Sequence, residues 1–134
     1  MSMEEAREDK STFFTILETL VSDVPGAIAS MFCDEEGESI EYCGSLDTYD
    51  IKIAGAYSAI IIRQLKTAHS PDTNFVEVTC HQRTLFVQQI EHYFLVLILE
   101  RRSFSGNLED AIEKAVAKFT EEAGLKDLAE GIDQ

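Results

Sequence analysis

The segment 94–99 constrains the fold most, because each of its residues is apolar. A strand that buries one face alternates apolar and polar residues, whereas an unbroken apolar strand needs cover on both faces. The run is far too short to span a bilayer. We therefore expect this segment to lie inside a sheet, with helices packed on both faces of that sheet.

The rest of the chain divides at glycine, proline and polar residues into segments of helical or strand period. A helix is predicted to end near Ser22, before Pro25, with Ser2 and Glu5 as a capping box at its start. Short connections make neighbouring strands antiparallel, and residues 34–37 form a hairpin turn. The predicted strands cover 27–33, 38–43, 75–81, 84–90 and 93–100, and the two later helices cover 47–68 and about 107–124.

The chain is strongly acidic, with a net charge of -14 over 134 residues. Nucleic acids and anionic membrane surfaces attract basic patches, so neither is expected as a partner. Three cysteines and the absence of a signal-peptide pattern indicate free thiols in a reducing cytoplasm. The composition is that of one domain with a core of its own, and residues 34–50 carry the densest negative charge.

The predicted middle helix has more apolar surface than one sheet covers. Its apolar arc exceeds half the circumference, whereas packing on a sheet needs an arc of about 100°. Small residues four apart, Ala54 with Ser58, let another backbone approach closely. The first and last helices could bury this surface instead, but the order of elements favours placing them on the other face. We therefore predict a symmetric dimer.

The order helix, two strands, helix, three strands, helix resembles the Roadblock/dynein-light-chain family, and its bacterial MglB-like members in particular. The resemblance rests on residues 24–27, the turn 34–37 and the apolar strand ending at Leu99, and it covers residues 12–124. It implies an α+β fold in which a five-stranded antiparallel sheet carries the middle helix on one face and the terminal helices on the other. Residues 1–134 would form one domain, with 125–134 as a tail.

The resemblance also implies dimerisation through the middle helix and the third strand. In this chain those residues are Ile53, Ala54, Tyr57, Ser58, Ile61, Phe75, Val76, Glu77, Val78 and Thr79. The dimer could form with a second copy or with a paralogue.

Members of the family bind small Ras-like GTPases, as scaffolds or as activators that reposition the GTPase's own catalytic groups. The charged stripe predicted on the middle helix would face such a GTPase, through Lys52, Ala56, Ala59 and Arg63. Alternatively, Lys52 and Arg63 serve only to keep the helix surface soluble and to interact with the helix dipole.

No Gly-x-x-x-x-Gly-Lys phosphate loop occurs, so we do not expect the protein to be a GTPase itself, and we expect no cofactor, metal or catalytic residue. The sequence thus predicts a regulatory or binding protein that is not itself an enzyme. An acidic secretion chaperone, which binds an effector segment as a dimer, is the alternative, but it would have three strands before the middle helix.

Thiol catalysis is a third and weaker hypothesis. Cys80 and His81 are adjacent on a predicted strand and would point to opposite faces. A turn over 34–37 would place Cys43 near Ile28, too far from Cys33 for a disulfide.

Overall fold

The computed structural model of the protein describes residues 11–68, 70–100 and 108–122. Its elements, in chain order, are α1 (Thr12–Asp23), β1 (Ala27–Asp34), β2 (Ser39–Gly44), α2 (Thr48–Ala68), β3 (Phe75–Thr79), β4 (Arg83–Ile90), β5 (Tyr93–Glu100) and α3 (Leu108–Glu122). The predicted capping box of Ser2 and Glu5, both predicted ends of the last helix and the tail 125–134 lie outside the described residues.

The five strands form one antiparallel sheet in the order β2-β1-β5-β4-β3. The apolar strand β5 is central, as its unbroken pattern predicted. Its alternate residues enter two separate layers, one with α2 and the other with α1 and α3. The predicted α+β architecture, with one helix on one face of the sheet and two on the other, is confirmed.

The part of the chain described before α2 contains two strands, β1 and β2. This number agrees with the Roadblock pattern and disagrees with the three strands expected of a secretion chaperone. Among the helices of the described ranges, none has both the length and the apolar character needed to cross a membrane.

Side-chain caps set the starts of the first two helices. Ser11 precedes α1, and its Oγ accepts a hydrogen bond from the Phe14 N–H at 3.0 Å. Asp47 precedes α2, and its Oδ1 accepts the Asp50 N–H at 2.8 Å. Each cap satisfies a backbone donor that the helix leaves unpaired. The start of α1 at Thr12 also places Ser11 beside β2, where its Oγ donates to Glu41 Oε2 at 3.3 Å.

The register between β1 and β2 differs from the prediction. Cys43 lies opposite Ser30 rather than near Ile28, because the turn is one residue longer and the register shifts between Phe32 and Cys33. Cys33 packs in the layer with α2, whereas Cys43 packs in the layer with α1 and α3. The two thiols are on opposite faces of the sheet, and neither forms a disulfide.

Strand β3 ends at Thr79, two residues before its predicted end at His81. The Cys80 N–H still donates to the Arg83 carbonyl at 2.7 Å, which closes the turn into β4. Among the strands of the described residues, β3 pairs with β4 alone and β2 pairs with β1 alone, so these two strands are the edges of the sheet.

Candidate partner-binding surface

A contact between two glycines positions α2 on the sheet. Gly37, in the β1–β2 turn, has φ of 90°, a left-handed conformation that glycine adopts without strain. A Cβ added to Gly37 or to Gly55 would overlap the other residue's carbonyl. The turn therefore rests directly on the backbone of α2. Asp34 stabilises the turn, because its Oδ1 accepts the N–H groups of Glu36 and Glu38 at 2.9 and 3.0 Å.

This contact decides which side of α2 faces the sheet. Ala54, Ser58 and Ala59 are 9%, 1% and 2% exposed. Ser58 Oγ donates back to the Ala54 carbonyl at 2.7 Å, within the helix. The expectations that Ala54 and Ser58 are free for a dimer and that Ala59 faces solvent are therefore wrong. Because apolar residues cover most of the helix, their spacing alone did not fix its orientation.

The side of α2 opposite the sheet carries exposed apolar residues. Tyr49, Ile53 and Ile60 are 70%, 49% and 47% exposed, and Ala56 lies exposed between them. We call these four residues the outer ridge. Large apolar side chains that share an exposed helix face are typical of protein-binding surfaces. The family resemblance implies Ile53 at the dimer interface, but the structure places Ile53 on this ridge and not among the residues that line the groove beside β3.

The basic residues flank this ridge on the side of the β1–β2 turn. Lys52 is exposed, as predicted. Arg63 is exposed too, but its Nη2 donates to the Glu35 carbonyl at 3.4 Å. The guanidinium of Arg63 thus links α2 to the turn. The structure places Lys52 and Arg63 on one exposed flank beside Ala56 of the ridge, whereas Ala59 is buried.

A polar cleft lies beneath that flank, with a volume of about 380 Å³. Its charged lining residues are Glu35, Glu36, Arg63 and Lys66, so its formal charges balance. Gln89 also lines it, and the buried Oε1 of Gln89 has no hydrogen-bond partner. No local sequence pattern predicts this cleft, because it joins residues from three separate parts of the chain.

The other flank of α2 borders the edge strand β3. Ile61, Gln64, Leu65 and Ala68 line a groove of about 400 Å³ together with residues 76–78. Tyr57, which is 40% exposed, lies one turn before Ile61 on the same flank. Tyr57, Ile61 and β3 therefore lie next to one another on one surface of the protomer. The predicted dimer uses residues of both α2 and β3, so it needs such a shared surface. Phe75 at the start of β3 is exposed and packs beside Phe86 with ring centroids 6.1 Å apart.

The surroundings of Cys33 keep its thiol protonated. Burial, followed by the nearby charge of Asp34, raises the pKa of Cys33 from 9.0 to about 12. Its Sγ lies 3.7 Å from the Phe94 carbonyl, to which it donates. A thiol that stays protonated is a poor nucleophile. Within the ranges that the structure describes, His, Cys, Asp and Glu side chains form no group of three or more suited to a metal ion.

No protein-family model and no curated protein matches this sequence. Solved structures do match it. A Roadblock/LC7 domain from Streptomyces avermitilis is 17% identical with a TM-score of 0.71, over 81% of this chain and 95% of that chain. MglB from Myxococcus xanthus is 17% identical with a TM-score of 0.72, over 87% and 98%.

A further structure, of MglB with a tetrameric arrangement, is 16% identical with a TM-score of 0.65, over 78% of this chain and 82% of that chain. All three proteins align with this chain over more than four fifths of their own length. The predicted resemblance is thus confirmed at the level of structure: this chain has the fold of the Roadblock/LC7 domains, MglB among them.

Proposed function

We propose that this protein is a homodimeric Roadblock-type regulator or scaffold that binds a small Ras-like GTPase in the cytoplasm. Residues 1–134 are one domain in this proposal, with its core at about 12–124 and a tail at 125–134. The observation that carries the proposal is the outer ridge, an exposed apolar helix face on a Roadblock/LC7 fold. Activation of GTP hydrolysis, if the chain provides it, acts on catalytic groups of the GTPase.

The dimer is supported by two adjoining features of one protomer. The groove between α2 and β3 leaves Ile61, Leu65, Val76 and Val78 only partly covered. The outer edge of β3 offers unpaired backbone groups, which are open to another strand. A second copy supplies both a strand and an apolar helix flank. MglB has been seen in a tetrameric arrangement, so self-association is compatible with this fold.

The outer ridge is the part of α2 that such a dimer leaves free. Tyr57 and Ile61 belong to the dimer flank, whereas Tyr49, Ile53 and Ile60 point away from the sheet. We assign the GTPase contact to this ridge, which includes Ala56, with Lys52 and Arg63 at its border. Tyrosine and isoleucine supply apolar area at the centre of an interface, and charged residues at the border add selectivity.

The first test is affinity capture from the source cells in buffers with GDP or a GTP analogue, with identification of retained proteins by mass spectrometry. The captured GTPase is then purified, and its binding and GTP hydrolysis are measured with and without this protein. Faster hydrolysis indicates an activator, and binding without faster hydrolysis indicates a scaffold.

Substitutions in the outer ridge test whether the GTPase binds there. Ile53→Asp and Ile60→Asp are each expected to weaken GTPase binding by at least about tenfold, as for central interface residues. The control is Lys118→Asp on an exposed position of α3, which also introduces an aspartate but on the opposite face. Equal binding by all three variants would assign the contact to another surface. If a purified cognate GTPase neither binds nor changes its hydrolysis rate, the proposed function is wrong.

A further inference from the structure

The hydrogen bonds at the two ends of β3 show which of its backbone groups face outward. The Asn74 carbonyl accepts the Gln89 N–H at 2.7 Å, and the Cys80 N–H donates to the Arg83 carbonyl at 2.7 Å. Residues of an antiparallel strand bond alternately to one side and the other. The even-numbered residues of β3 therefore bond to β4. The N–H and C=O groups of Phe75, Glu77 and Thr79 point to the open edge.

Symmetry restricts how a second copy can pair with this edge. The groove beside β3 lies on the α2 face, so both copies must keep α2 on the same face to cover it. A twofold axis perpendicular to the sheet does this and makes the two β3 strands antiparallel. Directly opposite residues of antiparallel strands share a face. One residue of β3 must therefore lie opposite its own copy.

Glu77 is the residue that best satisfies this condition. With Glu77 at the axis, Phe75 lies opposite Thr79, and every outward N–H and C=O group of β3 has a partner. An axis at Val76 or at Val78 would leave Thr79 or Phe75 beyond the end of the other strand. The complete ladder thus places the two Glu77 side chains against each other, with Cβ atoms about 5 Å apart.

Glu77 shares its face of the sheet with other acidic residues. Glu77 pairs with Phe86, whose side chain enters the layer of α1 and α3, so Glu77 projects to that face. On the same face, Glu109 and Glu113 of α3 line a pocket of about 180 Å³ with Phe75. The residues that line this pocket include no lysine or arginine.

We propose that Glu77 tunes the self-pairing of the β3 edge: its charge weakens the pairing of two identical copies, and substitution by a basic residue in one of the two copies strengthens it. This inference rests on the dimer in the proposed function. Two carboxylates directly opposite in a ladder are unfavourable, and a carboxylate opposite an ammonium group is favourable. The occupant of the edge remains a second copy of this chain, and the charge at one position tunes its affinity.

The test uses the full chain and two substitutions, Glu77→Gln and Glu77→Lys. Sedimentation equilibrium is expected to show a roughly two- to fivefold tighter dimer for E77Q than for wild type. E77K alone again opposes like charges, so its dimer gains no such affinity. The matched controls are E121Q and E121K on the exposed Glu121 of α3, which change the net charge equally without touching the edge.

A mixing experiment separates this inference from the dimer itself. Isotopically labelled wild type and unlabelled E77K are mixed in equal amounts, and native mass spectrometry counts the dimers. Mixed dimers are expected to exceed about two thirds of the total, whereas wild type with E121K gives the random half. If wild type and E77K form mixed dimers in only half of the total, as random pairing gives, the role of Glu77 is wrong but the dimer itself stands. If no combination forms dimers, the proposed dimer and this inference both fail.

Discussion

Gly55 sets the position of a whole helix through its lack of a side chain. A Cβ added to Gly55 would overlap the Gly37 carbonyl oxygen, and a Cβ added to Gly37 would overlap the Gly55 carbonyl oxygen. The end of the Met31 side chain also lies against Gly55. Glycine in a helix interior is unfavourable by about 1 kcal/mol relative to alanine. The close packing of the β1–β2 turn on α2 compensates for the lower helix propensity of Gly55. The same packing sets the rotation of α2, so that the outer ridge faces away from the sheet.

Replacement of Gly55 by alanine therefore has two opposing effects. The gain in helix propensity is about 1 kcal/mol, while overpacking against the Gly37 carbonyl costs about 1–3 kcal/mol. We expect a net loss in the free energy of unfolding, measured by urea denaturation. Ala56→Ser, at the exposed neighbouring position, is the control and should change stability little. An increase in stability for Gly55→Ala would show that the two backbones separate easily.

Cys33 gives the fold an alkaline pH dependence. Its pKa is about 12 in the folded protein and about 9 when the chain is unfolded. Its contribution to stability is complete below pH 9 and is lost as pH rises towards 12, because only the unfolded chain releases the thiol proton. The loss amounts to about 1.4 kcal/mol by pH 10.

Stability measured from pH 8 to pH 10.5 tests this dependence. The free energy of unfolding of Cys33→Ala should decline less with pH than that of wild type, although its value at pH 8 is lower because of the cavity. Cys80→Ala, at a half-buried thiol, is the control. Parallel pH curves for wild type and Cys33→Ala would contradict the assignment.

At the scale of elements, the sequence was informative where the determinants are local. The apolar run of β5 predicted its central place, and short connections predicted the hairpin and the three final strands. The rotation of α2 was not predictable, since it depends on Gly37 and Gly55, which are distant in sequence. The same holds for the polar cleft and for the register beside Cys43, where a turn and a bulge combine.

The open edge of β3 makes a prediction about proline. Glu77 directs its N–H outward, so Glu77→Pro removes no bond to β4, and proline is tolerated on edge strands in this setting. The variant should fold with little change in its thermal unfolding but should no longer dimerise in sedimentation experiments. Val76→Pro is the comparison, since it removes a donor that faces β4 and should destabilise the monomer by more than about 1 kcal/mol. A dimer of Glu77→Pro that is as tight as wild type would place the interface elsewhere.

For the whole molecule, the net charge of -14 is the dominant property. A large charge of one sign destabilises a compact state by self-repulsion, and salt screens this repulsion. We expect the melting temperature to rise by roughly 2–5 °C between 20 and 300 mM NaCl, as followed by circular dichroism. An equal concentration of an uncharged solute is the control. A melting temperature that is independent of salt would mean that the local charges are already balanced.

The two edges of the sheet are unequal, and this inequality limits the size of an assembly. The register of β2 shifts at Ile40, and α1 reaches β2 through Ser11 and Glu41, whereas β3 is regular along its length. A sheet with two regular edges can add copies without end and grow into a fibre. A bulge interrupts such growth. In the proposed dimer, β3 is therefore the one regular edge among the described strands, and pairing through β3 would close the assembly instead of propagating it.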